Sequence, residues 1–223
     1  MRGVEHAQRM TESLLAAARN DSQRTAALTA RAMAALMGGD HVTGVASAQE
    51  ALTLASQAAS PCPRFEASRL LAVGLAQQGR ADEAEALLAP FEDEVTRGPV
   101  EQRGHYWADL AYVLNSARRL RRTAAALEHA SECARELGDL AELATLTTNL
   151  ATVHGNLGNL EQAHEAALRA RALQVELGEA DGPSSGVIES HVGLYATQLG
   201  QYGAALQAFE RALAGFRRDG QAL

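Results

Sequence analysis

The sequence repeats itself about every 40 residues, and this period limits the fold more than any other feature. The tetrapeptide Leu-Gly-Asn-Leu at 157–160 has a counterpart in Leu-Gly-Gln-Tyr at 199–202, and each stands between two helix-like apolar stretches. A fixed period of this length is typical of an array in which every repeat is one small supersecondary unit. Equivalent turn positions, 39 to 42 residues apart, fall at Gly39, Gly79, Arg118, Gly158 and Gly200.

These turns divide the chain into five predicted repeats and one additional helix. The stretch 1–22 carries Met10, Leu14 and Ala18 at helical spacing, which predicts an unpaired helix, or half repeat. Segments with Pro and Gly at 60–64, 97–100 and 178–186 are predicted linkers. We therefore predict one continuous solenoid domain with repeats at 25–58, 65–98, 104–137, 144–177 and 186–219.

Small residues recur where two helices of a repeat would have to touch. The last repeat has Gly193, Ala205 and Ala212, and the fourth has Ala151 and Ala163. A small side chain on one helix that faces two on the next lets the helix axes approach to about 8 Å. Each repeat is thus predicted to be a helical hairpin whose apolar side only the next repeat can cover.

The composition agrees with an all-α fold. Hydrophobic residues make up 47% of the chain and aromatic residues only 4%, and isoleucine occurs once, at Ile188. Abundant Ala and Leu favour helices, because strands need β-branched and aromatic residues. Pro90 falls inside the predicted second helix of repeat 2, so we expect a helix break near Ala89.

The charge balance excludes several classes of function. The chain has 20 basic residues, all of them arginine, against 27 acidic residues, for a net charge of −7. A negative chain repels phosphate backbones, so we expect no direct binding of nucleic acid. The absence of lysine excludes Schiff-base chemistry and a phosphate-loop lysine.

No segment has the pattern of a signal peptide or a membrane span, so we expect a cytoplasmic protein without membrane contact. Cys62 and Cys133 have no neighbouring thiol in the sequence, and in that compartment both are expected to be reduced.

No set of residues indicates catalysis, a cofactor or a metal site, and we predict that the chain is not an enzyme. The seven histidines are spread along the repeats. His154 and His164 could approach each other, but ordinary packing is favoured over metal binding. The basic run at 118–122 lies at a turn between helices, where contact with a phosphate or an acidic peptide is an alternative to a solvated turn.

The repeats resemble the tetratricopeptide repeat family. In that family an aromatic residue is followed three and four residues later by Leu and by Gly or Ala, and the second helix carries Ala, an aromatic residue and Ala. The residues that carry the likeness in the third and fifth repeats are Trp107, Leu110, Ala111, Val192, Gly193, Gly200, Tyr202, Ala205, Phe209 and Ala212. The period here exceeds the family's 34 residues, as it does in the long-period repeats of bacterial transcription activators, signalling ATPases and kinesin light chains.

This resemblance implies a right-handed superhelical solenoid of antiparallel hairpins that acts as a non-enzymatic scaffold for protein interactions. It also implies a setting in the regulatory or sensory region of a bacterial cytoplasmic regulator, such as a transcription regulator. The second helices run past the family's usual stop, and we expect them to end at Gly138 and Gly178 in the left-handed conformation.

In a stack of hairpins the first helices line the concave surface, and their inner faces are free to bind a peptide or protein partner. This groove is predicted to be mostly neutral, with apolar, aromatic, amide and hydroxyl groups that suit peptide capture. The predicted groove residues are Met33, Met37, Arg69, Val73, Gln77, Tyr112, Asn115, Thr148, Thr152, Asn156, Ser190 and Leu194.

Two alternatives stay open. The apolar side of the last helix, around Leu206, Phe209 and Leu213, could join a second copy and form a homodimer. The same groove could instead sense a small molecule or a free peptide, which would stabilise the fold on binding.

Overall fold

The computed structural model describes residues 2–57, 61–179, 182 and 185–218, and every regular element in these ranges is helical. A 3₁₀ turn at Ala89–Phe91 joins α5 to α6. None of the helices within these ranges is long and apolar enough to cross a membrane. The helices are α1 (Arg2–Ala17), α2 (Asp21–Met37), α3 (His41–Ala55), α4 (Pro61–Gln77), α5 (Ala81–Leu88), α6 (Glu92–Val95), α7 (Val100–Ser116), α8 (Leu120–Leu137), α9 (Leu140–Leu157), α10 (Leu160–Glu176), α11 (Ser185–Gln198) and α12 (Tyr202–Arg218).

The chain divides into two compact units. Unit 1 consists of Met1–Arg97 and Tyr112–Arg118, and unit 2 consists of Gly98–Ala111 and Arg119–Leu223. In unit 1, α2 packs on α3 and α4 on α5; in unit 2, α9 packs on α10 and α11 on α12. Each unit is therefore built from helical hairpins, as the sequence predicts.

The five predicted turn positions all adopt the left-handed backbone conformation. The φ angle is +55° at Arg118 and between +74° and +81° at the four glycines. A Cβ added at any of these glycines would have no neighbour within 4 Å. The positive φ, rather than a lack of space, is therefore the reason for glycine at these turns. Gly138 and Gly178 also have positive φ, which confirms the predicted helix ends.

Two helices begin earlier than the sequence predicts. The segment 60–64 was expected to be a linker, but α4 already begins at Pro61, because the fixed φ of proline suits the first turn of a helix. At the N-terminus α1 ends at Ala17 instead of reaching residue 22, and α2 begins at Asp21. The side chain of Asn20 accepts a hydrogen bond from the backbone N–H of Gln23 and starts α2 there.

The predicted break at Pro90 is confirmed. Helix α5 ends at Leu88, and the 3₁₀ turn and the single turn of α6 follow it. Phe91 in this turn is buried, and its ring meets that of Phe65 edge to face with the centroids 5.5 Å apart. The break thus places an aromatic side chain in the core of unit 1.

Small residues fill the contacts between helices, as predicted. In unit 1, Leu28 of α2 packs in a buried cluster with Ala51 and Ala67. On α11, a Cβ added at Gly193 would lie 2.7 Å from the ring of Phe209, so the two helices meet at van der Waals contact there. The corresponding buried cluster of unit 2 consists of Ala151, Ala163, Ala166, Ala167, Val192, Tyr195 and Ala208.

Candidate functional site

The first helices of neighbouring hairpins lie side by side in each unit. Helix α2 contacts α4 in unit 1, and α9 contacts α11 in unit 2, although a second helix lies between them along the chain. We call the predicted groove positions on these helices and on α7 the first-helix face and describe them for each unit separately. In unit 1 they are Met33, Met37, Arg69, Val73, Gln77, Tyr112 and Asn115, and in unit 2 they are Thr148, Thr152, Asn156, Ser190 and Leu194.

In unit 1 the first-helix face has an apolar part and an aromatic part. Met33 and Met37 on α2 are both exposed, and Tyr112 on α7 is 44% exposed. Asn115, three residues after Tyr112 and thus on the same side of α7, is also exposed. Val73 is half-buried. These side chains offer contact area and one free amide to a partner.

Two other predicted groove residues of unit 1 already have partners within the unit. Arg69 is only 8% exposed, and its Nε donates a hydrogen bond of 2.7 Å to Glu66 Oε2. Gln77 Oε1 lies 2.6 Å from Nδ1 of His41. Arg69 was predicted to lie in the groove, but its guanidinium is held in an ion pair within α4, because the carboxylate of Glu66 lies one turn away.

In unit 2 the hydroxyl groups of the first-helix face bond to their own helices. Thr148 Oγ1 donates to the carbonyl oxygen of Ala144 at 2.8 Å, and Thr152 Oγ1 donates to that of Thr148 at 3.2 Å. Ser190 Oγ donates to the carbonyl oxygen of Val187 at 2.6 Å. The sequence interpretation treated these hydroxyls as donors for a ligand, whereas in the structure they present acceptor lone pairs.

The remaining residues of this face in unit 2 are open to solvent. Asn156 and Leu194 are exposed, so one amide and one apolar side chain accompany the hydroxyl oxygens. A cavity of about 350 Å³ lies beside Thr148, and Asn149 and Val187 also line it. In unit 2 the first-helix face is therefore made of neutral groups, and of its residues Thr148 lines the adjoining cavity.

A buried carboxylate in unit 2 was not found from the sequence. Glu189 on α11 is 7% exposed, and its Oε1 lies 3.0 Å from Nε of Arg211 on α12. Its Oε2 lies 3.8 Å from a terminal nitrogen of Arg171 on α10. An acidic residue directly after Val187 and Ile188 is the sequence signal that could have indicated it. This carboxylate joins three helices and is part of the packing, not of the exposed face.

The histidines and cysteines do not form a metal site in the described ranges. No group of three His, Cys, Asp or Glu side chains there is close enough to hold an ion. His154 is buried and His164 is half-buried, and burial lowers the pKa of His164, with a further contribution from Arg171. Cys133 is buried as a free thiol, and burial raises its pKa. The side chain of Cys62 lies outside the described part of the structure.

The predicted self-association residues lie on one side of α12. Leu206 and Phe209 are exposed, and Leu213 is half-buried. Tyr202, one turn before Leu206, is 71% exposed and continues this side of the helix. Their spacing of four, three and four residues places them in one stripe along the helix. Phe209 also packs on Gly193, so part of its ring belongs to the α11–α12 hairpin.

Comparison with known proteins identifies a family for part of the chain. Residues 142–218 match the model of the tetratricopeptide repeat family. Residues 142–218 carry tetratricopeptide repeats. The match covers α10, α11 and α12 and nearly all of α9, which form the predicted fourth and fifth repeats. No curated protein matches the chain.

Solved structures extend the likeness of fold beyond the matched residues. BtubC (BKLC) from P. vanneervenii has a TM-score of 0.78 at 18% identity and covers 100% of this chain and 91% of its own. A Podosopora anserina protein described as a kinesin light chain with nearly identical TPR-like repeats has a TM-score of 0.76 at 16% identity, with coverage of 92% and 100%. The predicted all-α tetratricopeptide solenoid class is therefore confirmed.

A third structure is a signal transduction ATPase with numerous domains (STAND) from Pyrococcus horikoshii, which has a tetratricopeptide repeat sensor. It has a TM-score of 0.79 at 16% identity and covers 94% of this chain but only 31% of the ATPase. At these identities the likeness shows the fold alone.

Proposed function

We propose that the chain is a non-enzymatic scaffold whose first-helix face binds a peptide segment of a partner protein. The tetratricopeptide fold supports an interaction scaffold in general terms. The observation that carries the finer proposal is the exposure of Tyr112, at 44%, with Asn115 exposed one turn later. A tyrosine gives a large, rigid contact area with one polar group, which is why this residue type is enriched among the side chains that dominate binding energy.

The hydrogen-bonding groups of the face define the peptide that it suits. Arg69 is paired with Glu66, so no free cation of the face would select a carboxylate. The hydroxyls of Thr148 and Thr152 offer only acceptor lone pairs. In unit 2 these acceptors suit the N–H groups of an uncharged segment. In unit 1 Met33 can adapt its shape to different apolar side chains.

The test is binding of peptides selected from a random library against the wild-type chain. The double variant Tyr112→Ala with Asn115→Ala should weaken binding about tenfold or more, since central anchor residues carry most of the binding energy. The matched control is Tyr202→Ala, which removes an exposed tyrosine from a second helix and should leave the peptide affinity unchanged. Equal affinities in the double variant and the wild type, with an unchanged melting temperature, would refute the assignment.

The setting that we propose is the sensory or assembly region of a bacterial cytoplasmic regulator, including regulators of transcription. The likeness of fold to the sensor of a STAND ATPase supports this setting, as does the long period of the repeats. Parts that bind DNA or hydrolyse nucleotides would then lie outside this chain. Identifying the proteins that the wild-type chain retains from its native lysate, and the double variant does not, tests the setting.

Self-association is a second candidate, favoured by the exposed apolar stripe on α12. Leu206 at its centre is exposed between Tyr202 and Phe209. Covering such a stripe with a second copy would remove apolar area from water. Sedimentation of the wild type should then show a concentration-dependent dimer, and Leu206→Glu should abolish it without a change in helicity. A monomer at high concentration would exclude this candidate.

A further inference from the structure

The cavity of about 350 Å³ beside Thr148 lies in unit 2, where residues of α9, of the C-terminal end of α10 and of the start of α11 meet. Its volume is at the lower end of the range for ligand pockets, so it suits a small molecule or a single side chain. Ala144, Leu177 and Ile188 form apolar parts of its wall. What the cavity would bind therefore depends on its polar groups.

Gln174 on α10 is a buried side chain of this cavity without a partner. It is 5% exposed, and its amide makes no hydrogen bond to another described residue. The amide remains accessible, so a ligand in the cavity can reach it. Buried polar side chains are normally hydrogen-bonded, because leaving them unpaired is costly. Gln174 therefore points to a ligand that would bond to it.

The hydroxyl groups that line the cavity can only accept hydrogen bonds from a ligand. Thr145 Oγ1 donates to the carbonyl oxygen of Ala141 at 3.1 Å, and Thr148 Oγ1 donates to that of Ala144 at 2.8 Å. Each hydroxyl has a single hydrogen, which is already used, and its remaining lone pairs are acceptors. These two oxygens therefore favour a ligand with several donors.

Glu179 adds a negative charge next to Gln174. The left-handed turn at Gly178 ends α10, and the backbone N–H of Glu179 donates to the carbonyl oxygen of Gln174 at 2.8 Å. The carboxylate is exposed, and among the described residues it takes part in no ion pair. Of the described residues that line the cavity, Glu179 is acidic and none is basic. The charge of the lining therefore favours a cation.

We propose that this cavity binds a primary ammonium group on a short alkyl chain. An ammonium group has three donors and no acceptor, which matches the carboxylate of Glu179, the amide oxygen of Gln174 and the hydroxyl oxygens. The apolar wall around Ala144 and Ile188 covers the alkyl chain. The group belongs either to a free alkylamine or to a lysine that flanks the uncharged segment at the first-helix face, since Thr148 is part of both sites. Only the lysine rests on the proposed function.

Titration of the full chain with butylamine, followed by NMR through the side-chain amide signals, tests the proposal. We expect saturable binding at millimolar concentration, because the carboxylate is exposed, and weaker binding as salt is added. Butanol has no charge, and butyltrimethylammonium has a charge but no N–H donor, so each should bind about threefold more weakly or less. Absence of saturable binding by butylamine and by a lysine derivative would overturn the proposal, as would equal binding of butylamine, butanol and butyltrimethylammonium.

The same titration distinguishes the two sources of the ammonium group. N-acetyl-lysine methylamide presents the lysine side chain as it occurs within a peptide. Tighter binding of this derivative than of butylamine would support a lysine of a partner, and tighter binding of butylamine would support a free amine. Butylamine needs no bound segment, so its binding does not depend on whether the first-helix face captures a peptide.

Variants locate the site within the molecule. Glu179→Gln and Gln174→Leu should each weaken butylamine binding about threefold or more, whereas Glu176→Gln, which removes an exposed carboxylate of α10 outside the cavity, should not. Gln174→Leu should leave the melting temperature unchanged or higher, because the amide has no partner to lose. Glu179→Gln alters an exposed side chain and serves if Gln174→Leu fails to fold. An effect of Glu176→Gln equal to that of Glu179→Gln would show nonspecific charge attraction and would contradict the assignment.

Discussion

Among the described residues, Arg118 is the non-glycine residue in the left-handed backbone conformation, and its φ angle is +55°. At the four equivalent turns glycine adopts this conformation without strain. The left-handed conformation costs an L-residue roughly 1–2 kcal/mol. Glycine removes this strain from the folded protein, but it also raises the conformational entropy of the unfolded chain, which offsets part of the gain in stability. Arg118→Gly should therefore raise the free energy of unfolding by about 0.5–1 kcal/mol, measured by urea denaturation.

Gly79 provides the reverse change at an equivalent turn. Its φ is +78° and the space around it is open, so Gly79→Ala should lower the free energy of unfolding by about 1 kcal/mol. A loss of stability in Arg118→Gly would show that the arginine side chain contributes more at this turn than the backbone strain costs.

Glu189 is the carboxylate whose removal should matter most in unit 2. It is buried between Arg211 and Arg171, which are both partly exposed. Glu189→Ala should destabilise the protein by about 2 kcal/mol, below the 3–5 kcal/mol for a fully buried pair because water screens the arginines. Glu50→Ala breaks the exposed ion pair with Arg24 and should change stability by less than about 0.5 kcal/mol. Equal effects of the two substitutions in thermal unfolding would refute this distinction.

At the scale of elements, two histidines near the contact between α10 and α11 should make stability depend on pH. Burial lowers the pKa of both His164 and His191 below the ordinary value of 6.5. The unfolded chain then binds protons more readily than the folded protein, so their contribution is complete above about pH 6.5 and is lost as the pH falls toward the lowered pKa. The urea midpoint should therefore fall between pH 7 and pH 5.5.

The double variant His164→Gln with His191→Gln should flatten this dependence, whereas His6→Gln on α1, with an exposed ring, should not. Burial raises the pKa of Glu142, so protonation of this carboxyl favours the folded protein as the pH falls, opposite to the effect of the histidines. This contribution arises at pH values closer to the ordinary glutamate pKa of 4.5. An unchanged slope in the double variant would contradict the role of the two histidines.

Some glycines within helices are required because a neighbouring side chain lies too close for a Cβ, and others have open space around them. A Cβ at Gly155 on α9 would lie 2.6 Å from the ring of Tyr195 on α11, but a Cβ at Gly203 on α12 would meet nothing within 4 Å. Gly155→Ala should therefore cost about 1–3 kcal/mol through overpacking. Gly203→Ala should stabilise α12 by about 0.5 kcal/mol, because alanine loses less backbone freedom in a helix. Thermal unfolding that shows the same sign for both would contradict this packing of α9 on α11.

Local features of the helices could be predicted from the sequence. The turn at Arg118 follows from the period, and the break at Pro90 follows from the missing N–H of proline. The start of α4 at Pro61 was missed, because proline both ends segments and begins helices, and only packing decides between these uses.

At the scale of the whole molecule, the repeat period and the spacing of small residues were enough to predict the fold class. Which groups of the first-helix face are free to bind a partner could not be predicted, because this depends on the hydrogen bonds that each side chain makes within the protein. Arg69 reaches Glu66, and the hydroxyl of Thr148 turns back to its own helix, although a different rotamer of either residue would leave it free.

The most direct test of the account is hydrogen exchange of the chain with and without a peptide selected for binding. The central claim is that the first-helix face binds the partner. It predicts slower exchange in α2, α4 and the part of α7 that carries Tyr112, all in unit 1, with no change in α8, α10 and α12 when the peptide binds. Protection confined to α8, α10 and α12, with the first helices unchanged, would contradict it.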